Sequence, residues 1–322
     1  MDCVSVNFVI PHKGREELLI ETLRSIRDQQ STVPYHVYVV TQNKNLTEET
    51  LGLKAQLPLT FMFAGPGQTN SVLRNTGARR TSSTHLAFLD ADVQLSPNWL
   101  SKMMETLESD SETILASAMQ INGSAPPVLE RIRTTLSNAN LDAPVRFLPG
   151  RNLLMRRETF ESAGGFPEHL ETCEDYYFTD KVSEIGRLWY SSRASYVHLG
   201  EDKRLTDMFR KEIWRGQSNL QSLKGRKLRL AEVPSLSTPL AVCGLFTLSI
   251  GLLLSGSVIS SYLCAAIAAF PFCAYVTRLY ILGNGEIPLL DIVAFYAVYF
   301  PARTIGTLRG ATRVIATYVS GP

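Results

Sequence analysis

Apolar positions in the first two thirds of the chain switch between two periods. Val4–Ile10 is a β-branched apolar run stopped by Pro11, the pattern of a buried strand. Glu16–Asp28 carries Leu18, Leu19, Leu23 and Ile26 at helical spacing and predicts an amphipathic helix. Tyr35–Thr41 and Leu59–Ala64 read as further strands, and Asn70–Arg80 as a helix. His85–Leu89 reads as a fourth strand ending at Asp90, followed by a helix over Pro97–Leu107. Strands alternating with helices predict an α/β domain on a mostly parallel, Rossmann-like sheet. Such sheets bind ligands at the carboxyl ends of their strands, which is where Asp90 and Asp92 fall.

The pattern then changes. Residues 233–322 hold six of the 62 charged side chains, and the 45 residues from Val233 to Thr277 hold none. Leu236–Leu254 and Val258–Leu282 are apolar runs of the length a bilayer-crossing helix needs, joined by the small polar stretch SGSVISS. They predict a transmembrane hairpin, with Pro271 a candidate kink. Before it, Lys211, Arg215, Lys224, Arg226, Lys227 and Arg229 surround Trp214 and several leucines, as in a segment lying on an anionic membrane surface. These cations and Arg278, at the far end of the hairpin, place the first region on the cytoplasmic side. Asp291 and Pro301 weaken a third membrane segment over Ile287–Val319, and an interfacial helix or a re-entrant hairpin fits equally well.

Composition narrows the function classes. A net charge of +2 argues against a nucleic-acid binder held by a basic field. Five cysteines without a CxxC pair indicate neither a disulfide framework nor a zinc site. The opening VSVNFVIP reads as a strand, so no cleaved leader is expected.

Three stretches carry candidate chemistry. In LAFLDADVQLSPNWL an apolar strand delivers Asp90 and Asp92 one residue apart. Carboxylates so placed suit a hard cation such as Mg²⁺ or Mn²⁺ bridging nucleotide phosphates, and a ribose hydroxyl. In GGFPEHLETCEDYYFTDKV, Glu174 and Asp175 open a helical run. Acids there either cap the helix or supply a general base for a hydroxyl nucleophile, Asp175 being the better candidate and Glu174 its positioning partner. In NSVLRNTGARR, Arg74 near a helix start suits an anionic ligand. His198 in YVHLGE is a candidate to share a metal with Asp92, and Trp214-Arg215 a candidate to meet a leaving diphosphate.

Taken in order, FVIPHKGREELLIETLRSI, NSVLRNTGARR, LAFLDADVQLSPNWL, LPGRNLLMRRETFESAGGFPE, ETCEDYYFTDKVSEIG and VHLGE resemble the family 2 glycosyltransferases of the GT-A fold over about residues 4–215. The resemblance implies that Pro11 and His12 flank the nucleotide base, and that Asp90 and Asp92 are the DXD pair for ribose and metal–diphosphate. It implies that Asp175 is the catalytic base, and that Gly150, Arg151 and Asn152 form the loop beside sugar and acceptor. It also implies inversion at the anomeric carbon. The second strand ends in Thr41, Gln42 and Asn43 instead of the acids many members carry, so UDP- and GDP-sugars both remain open. The QxxRW of processive synthases is absent, which points to one sugar per acceptor.

The expected organisation is a GT-A catalytic domain over residues 1–205, a basic interfacial segment over 206–235, a transmembrane hairpin over 236–282 and the undecided segment 283–322. The expected activity is a metal-dependent (Mn or Mg), inverting transfer from a nucleotide sugar to a hydroxyl of a lipid or lipid-linked glycan. The expected location is the cell membrane, multi-pass, with the catalytic domain cytoplasmic. Two alternatives stand beside it: transfer to a polyprenyl phosphate, and a non-catalytic membrane protein that binds nucleotide sugars.

Overall fold

The computed structural model describes residues 4–223 and 229–319; Cys3 and the cations Lys224, Arg226 and Lys227 lie outside them. The first apolar run becomes β1 (Val6–His12), buried along its whole length. It leads into α1 (Glu16–Arg27), which has Glu16 and Glu17 in its first turn and Arg24 and Arg27 in its last, complementing the helix dipole. Next come β2 (Tyr35–Thr41), the short α2 (Glu48–Gly52) and β3 (Leu59–Phe63). Thr69 caps α3 (Asn70–Arg79) by accepting from Val72 N. The chain continues through β4 (His85–Leu89), β5 (Val93–Leu95), α4 (Trp99–Glu108), β6 (Thr113–Ile121) and α5 (Val128–Ser137). Then follow β7 (Ala143–Val145), β8 (Asn152–Arg156), α6 (Arg157–Ser162), α7 (Glu174–Val182) and the long β9 (Arg187–His198). The rest is helical: α8 (Leu205–Gly216), α9 (Val233–Leu254), α10 (Val258–Leu282) and α11 (Leu289–Val319).

The chain divides into two compact units, one of residues up to Ser124 with Asn140–Glu201, the other of Ala125–Ala139 with Asp202 onward. The first unit holds the sheet, ordered β3-β2-β1-β4-β8-β6-β9-β5 with β7 on β9. Strands β3, β2, β1 and β4 are parallel, as the alternating pattern predicts. Beyond β4 the sheet turns mixed: β8 runs antiparallel between β4 and β6, while β6 and β9 are parallel. β5 returns antiparallel on β9 with Val93 opposite His198, which brings the residue after Asp92 beside the histidine. One core packs α1 and α4 on a face of the sheet through Leu19, Leu23, Ile26, Trp99 and Met103. The other gathers Phe88, Phe160, Phe166 and Phe178, with the rings of Phe166 and Phe178 stacked at 4.1 Å.

Gly77 sets how closely α3 lies on this sheet. A Cβ there would collide with Val9 Cγ1 and come within 3.2 Å of Val40 Cγ2. Both partners are stiff β-branched side chains, so neither yields easily. Gly77→Ala is therefore expected to destabilise the protein by about 1–3 kcal/mol, read as a lowered melting temperature. An unchanged melting temperature would contradict this close contact.

In the second unit, α9 and α10 are long and apolar enough to cross a membrane, as the sequence predicts. α9 begins at Val233, three residues before the predicted span, with Pro234 in its first turn where the missing N–H costs nothing. Ser249 and Ser261 bond reciprocally across the two helices, each hydroxyl donating to the other's carbonyl at 2.9 and 2.8 Å. That satisfies two polar groups within an apolar pair. The last segment is one continuous helix, and Leu289–Thr312 is also long and apolar enough to cross. Neither Asp291 nor Pro301 breaks the helix: Asp291 sits in the first turn, where the dipole favours an acid, and Pro301 is carried inside it. α8 packs on α11 at Gly306, whose Cβ would lie 2.6 Å from Ile213 O. Beside that contact, buried Glu212 pairs with Arg133 and Arg215 at 2.6 Å each and with Arg303 at 3.6 Å. Burial alone would raise its carboxyl, but the three guanidinium groups bring it down to about 2.

Candidate active site

Residues that follow β1 and β4, the loop before β8, the start of α7 and the end of β9 come together in the first unit. At the centre of this cluster is Arg74, 2% exposed. Its Nη2 lies 2.6 Å from Asp90 Oδ1 and its Nη1 lies 3.0 Å from Glu174 Oε1. Nη2 also donates to Gly150 O at 3.4 Å, and the guanidinium stands over the Phe166 ring, 5.0 Å from its centroid. Helix α3, seated by Gly77, thus carries a fixed cation between acids from two distant stretches. Arg74 is brought to the site, but its side chain faces these carboxylates instead of opening to a ligand.

Asp90 follows the last residue of β4, and its N–H donates to Arg151 O at 3.0 Å, tying the strand end to the next loop. Burial raises its carboxyl above the usual range, Arg74 opposes this, and nearby Asp92 adds to it. Glu174 is raised in the same way by burial and by Asp175, again against Arg74. Cys173, at φ 62°, turns the chain into α7 through a left-handed residue, a strain of about 1–3 kcal/mol of the kind that gathers at functional sites. Asp175 Oδ2 then accepts from Gly150 N at 3.1 Å and its Oδ1 accepts from Tyr176 N at 2.7 Å. Both carboxylate oxygens are thereby oriented.

On the other side of Asp90, Asp92 Oδ1 lies 3.5 Å from His198 Nε2, and Asp92 Oδ2 accepts from Arg15 Nη2 at 2.9 Å. Gly200 lets the backbone pass here, since a Cβ would collide with Asp92 Oδ2. Among the described residues no three His, Cys, Asp or Glu side chains converge as a metal site. Asp92 and His198, the two residues the sequence singles out for a metal, do stand side by side.

The remaining sequence candidates separate. Pro11 and His12 end β1 beside Val40 and Thr41. His12 is buried, its Nδ1 is 2.9 Å from Thr41 Oγ1, and its Nε2 has no hydrogen-bond partner among the described residues. Burial lowers its pKa, against the raising effect of the Gly14 backbone. Asn152 faces away from this cluster into the sheet. It is fully buried, and its Oδ1 accepts from Trp99 Nε1 at 3.1 Å and Ala118 N at 2.8 Å, so its amide secures the sheet. Trp214 and Arg215 belong to α8 in the second unit, Trp214 largely exposed and Arg215 paired to Glu212. Arg15 and Glu201 did not stand out in the sequence. Arg15 hides in the polar loop HKGRE, and Glu201 has one faint signal, its place three residues after His198.

The family model for glycosyl transferase family 2 matches residues 7–164. Residues 7–164 are a family 2 glycosyltransferase domain. The domain's chain is 24% identical over 196 residues to glycosyltransferase AglE of Haloferax volcanii, across 56% of this chain and 62% of that protein. It is 26% identical over 135 residues to a pre-mycofactocin glycosyltransferase of Mycobacterium tuberculosis, across 39% of this chain and 29% of the relative. It therefore spans less than two thirds of either curated relative. Among solved structures it resembles the mannosyltransferase PcManGT from Pyrobaculum calidifontis in complex with GDP-Man and Mn²⁺. That match has a TM-score of 0.61 and 18% identity, and covers 94% of this chain and 86% of the other. It also resembles residues 1–349 of S. aureus TarS in complex with UDP, with a TM-score of 0.52 and 16% identity over 98% and 93% of the two chains. At these identities the likeness speaks for the fold alone, which is GT-A with apolar helices appended.

Proposed function

We propose that this glycosyltransferase moves one sugar from a nucleotide-sugar donor to a hydroxyl of a lipid-linked acceptor, with inversion at the anomeric carbon. The observation that carries the reading is the meeting of Asp90, Glu174 and Asp175 around Arg74, with Asp92 next to Asp90, in one unit. Folding alone gives no reason to gather four carboxylates in one cluster, because each costs free energy to desolvate. Complexes of two structural neighbours with GDP-Man and UDP support a nucleotide-sugar donor. His12, whose buried Nε2 has no partner among the described residues, supports a base contact at the end of β1.

The residues fit a divalent cation. Asp92 and His198 offer one oxygen and one nitrogen, and hard cations in nucleotide sites take one or two protein ligands plus phosphates and water. When bound, such a cation supplies positive charge against the departing diphosphate. The neighbour solved with Mn²⁺ supports the same assignment. Asp175 takes the proton of the acceptor hydroxyl as its oxygen bonds to the anomeric carbon, and the bond from that carbon to the diphosphate oxygen breaks. The nucleophile enters opposite the leaving group, which inverts the centre. Glu174, held by Arg74, positions the start of α7. Three helices long and apolar enough to cross a bilayer, with basic residues before the first, support a multi-pass membrane protein whose catalytic unit is cytoplasmic. Holding the enzyme at the membrane raises the effective concentration of a lipid acceptor.

The test is a melting-temperature panel of UDP- and GDP-sugars on the full chain in detergent, with and without Mn²⁺. One donor is expected to raise the melting temperature only with Mn²⁺, by about 2.7 kcal/mol of stabilisation at a hundred times its Kd. Asp92→Ala is expected to erase the rise. A donor bound equally well in EDTA would sink the metal assignment.

A further inference from the structure

Glu201, three residues beyond His198, folds back onto the imidazole. Its Oε2 lies 2.9 Å from His198 Nδ1, and both side chains are buried. The same oxygen receives Gln120 Nε2 at 3.4 Å and stands 3.6 Å from Arg151 Nη1. Arg151 in turn donates to Gln120 Oε1 at 2.7 Å, and Tyr196 reaches that oxygen at 3.3 Å. Elements far apart in sequence therefore converge on one carboxylate whose outer contact is the histidine.

A carboxylate only accepts hydrogen bonds, so in the neutral ring Nδ1 carries the proton and the Nε2 lone pair faces Asp92 Oδ1, 3.5 Å away. Fixing the tautomer in this way is how a carboxylate behind a ligating histidine orients it and raises its basicity. We propose that Glu201 is a positioning residue for divalent-cation binding, acting through His198; the proposal rests on the reading of Asp92 and His198 as the cation's protein ligands. Gln120 and Arg151 hold Glu201 in place, which gives Arg151 a function apart from its neighbourhood to Asp90.

A purely structural role, in which Glu201 only neutralises Arg151, predicts something different, and Mn²⁺ titration separates the two. The full chain in detergent is titrated with Mn²⁺ in UDP and separately in GDP, following the free-ion signal by electron paramagnetic resonance. Glu201→Gln is expected to weaken Mn²⁺ binding about 10–100-fold while the melting temperature in EDTA stays at the wild-type value. Glu201→Asp is expected to recover part of the affinity, and it carries the same comparison if the glutamine variant does not fold. A Glu201→Gln protein that binds Mn²⁺ like the wild type, where Asp92→Ala does not bind, overturns the role of Glu201 alone. Asp92→Ala binding as well as the wild type overturns the ligand assignment and this inference with it.

Discussion

Asp175→Asn is expected to lower turnover by about 10²–10⁴-fold, the usual contribution of a positioned general base. The substitution changes almost no volume. The carboxylate accepts one backbone N–H on each oxygen, from Gly150 and from Tyr176. Asparagine can satisfy one of them and turns its own NH₂ toward the other, so a stability loss of about 1–3 kcal/mol accompanies the change. Donor binding should survive, because Asp92 and His198 stand on the other side of Asp90. The readouts are release of nucleoside diphosphate from the donor that binds, and the donor's effect on the melting temperature. Loss of turnover with donor binding retained supports a hydroxyl acceptor. Unchanged turnover would favour a polyprenyl phosphate, an acceptor already anionic that needs no base.

Arg74→Met is expected to cost about 3 kcal/mol near neutral pH, because it strips the cation from carboxylates buried around it. The figure sits at the low end for a broken buried pair, since the Asp90 side chain keeps 30% exposure and solvent screens part of the loss. The loss should depend on pH in a definite direction. Asp90 and Glu174 already have raised carboxyl pKa values with Arg74 present, and its removal raises them further. An acid with a raised folded-state pKa holds its proton in the native state after the unfolded chain has released it. Stability is then lost as pH rises from the ordinary carboxylate range through the raised values, and is regained in acid. Melting curves at pH 5 and pH 8 should therefore show the variant closer to wild type at the lower pH. Equal destabilisation at both would contradict the ion-pair role. Arg74→Lys should rescue only part, because an ammonium cannot fork between two carboxylates.

The elements of the first unit were legible because their apolar periods are clean. β1, β2, β4 and α3 lie within two residues of where the pattern puts them. The DAD stretch could be read as a site because an apolar strand runs directly into it. The second half of the sheet was harder: β8 returns antiparallel between β4 and β6, a pairing no local pattern announces. The third long helix was obscured by Asp291 and Pro301, since a residue count penalises both wherever they stand. Nothing in composition announces that Ala125–Ala139 joins the helical unit.

By itself the sequence determined an α/β region with acids at strand ends, a long apolar tail, and which side chains were worth testing. Those conclusions rest on local periodicity and residue type, which need no partner to be read. Only the tertiary structure decided what each side chain does. It turned Arg74 onto three acidic neighbours and Asn152 into the sheet, and it put Glu201 behind His198. The reason is physical: a polar side chain's role follows from the groups that meet it once water is removed, and those groups come from chain segments up to a hundred residues away.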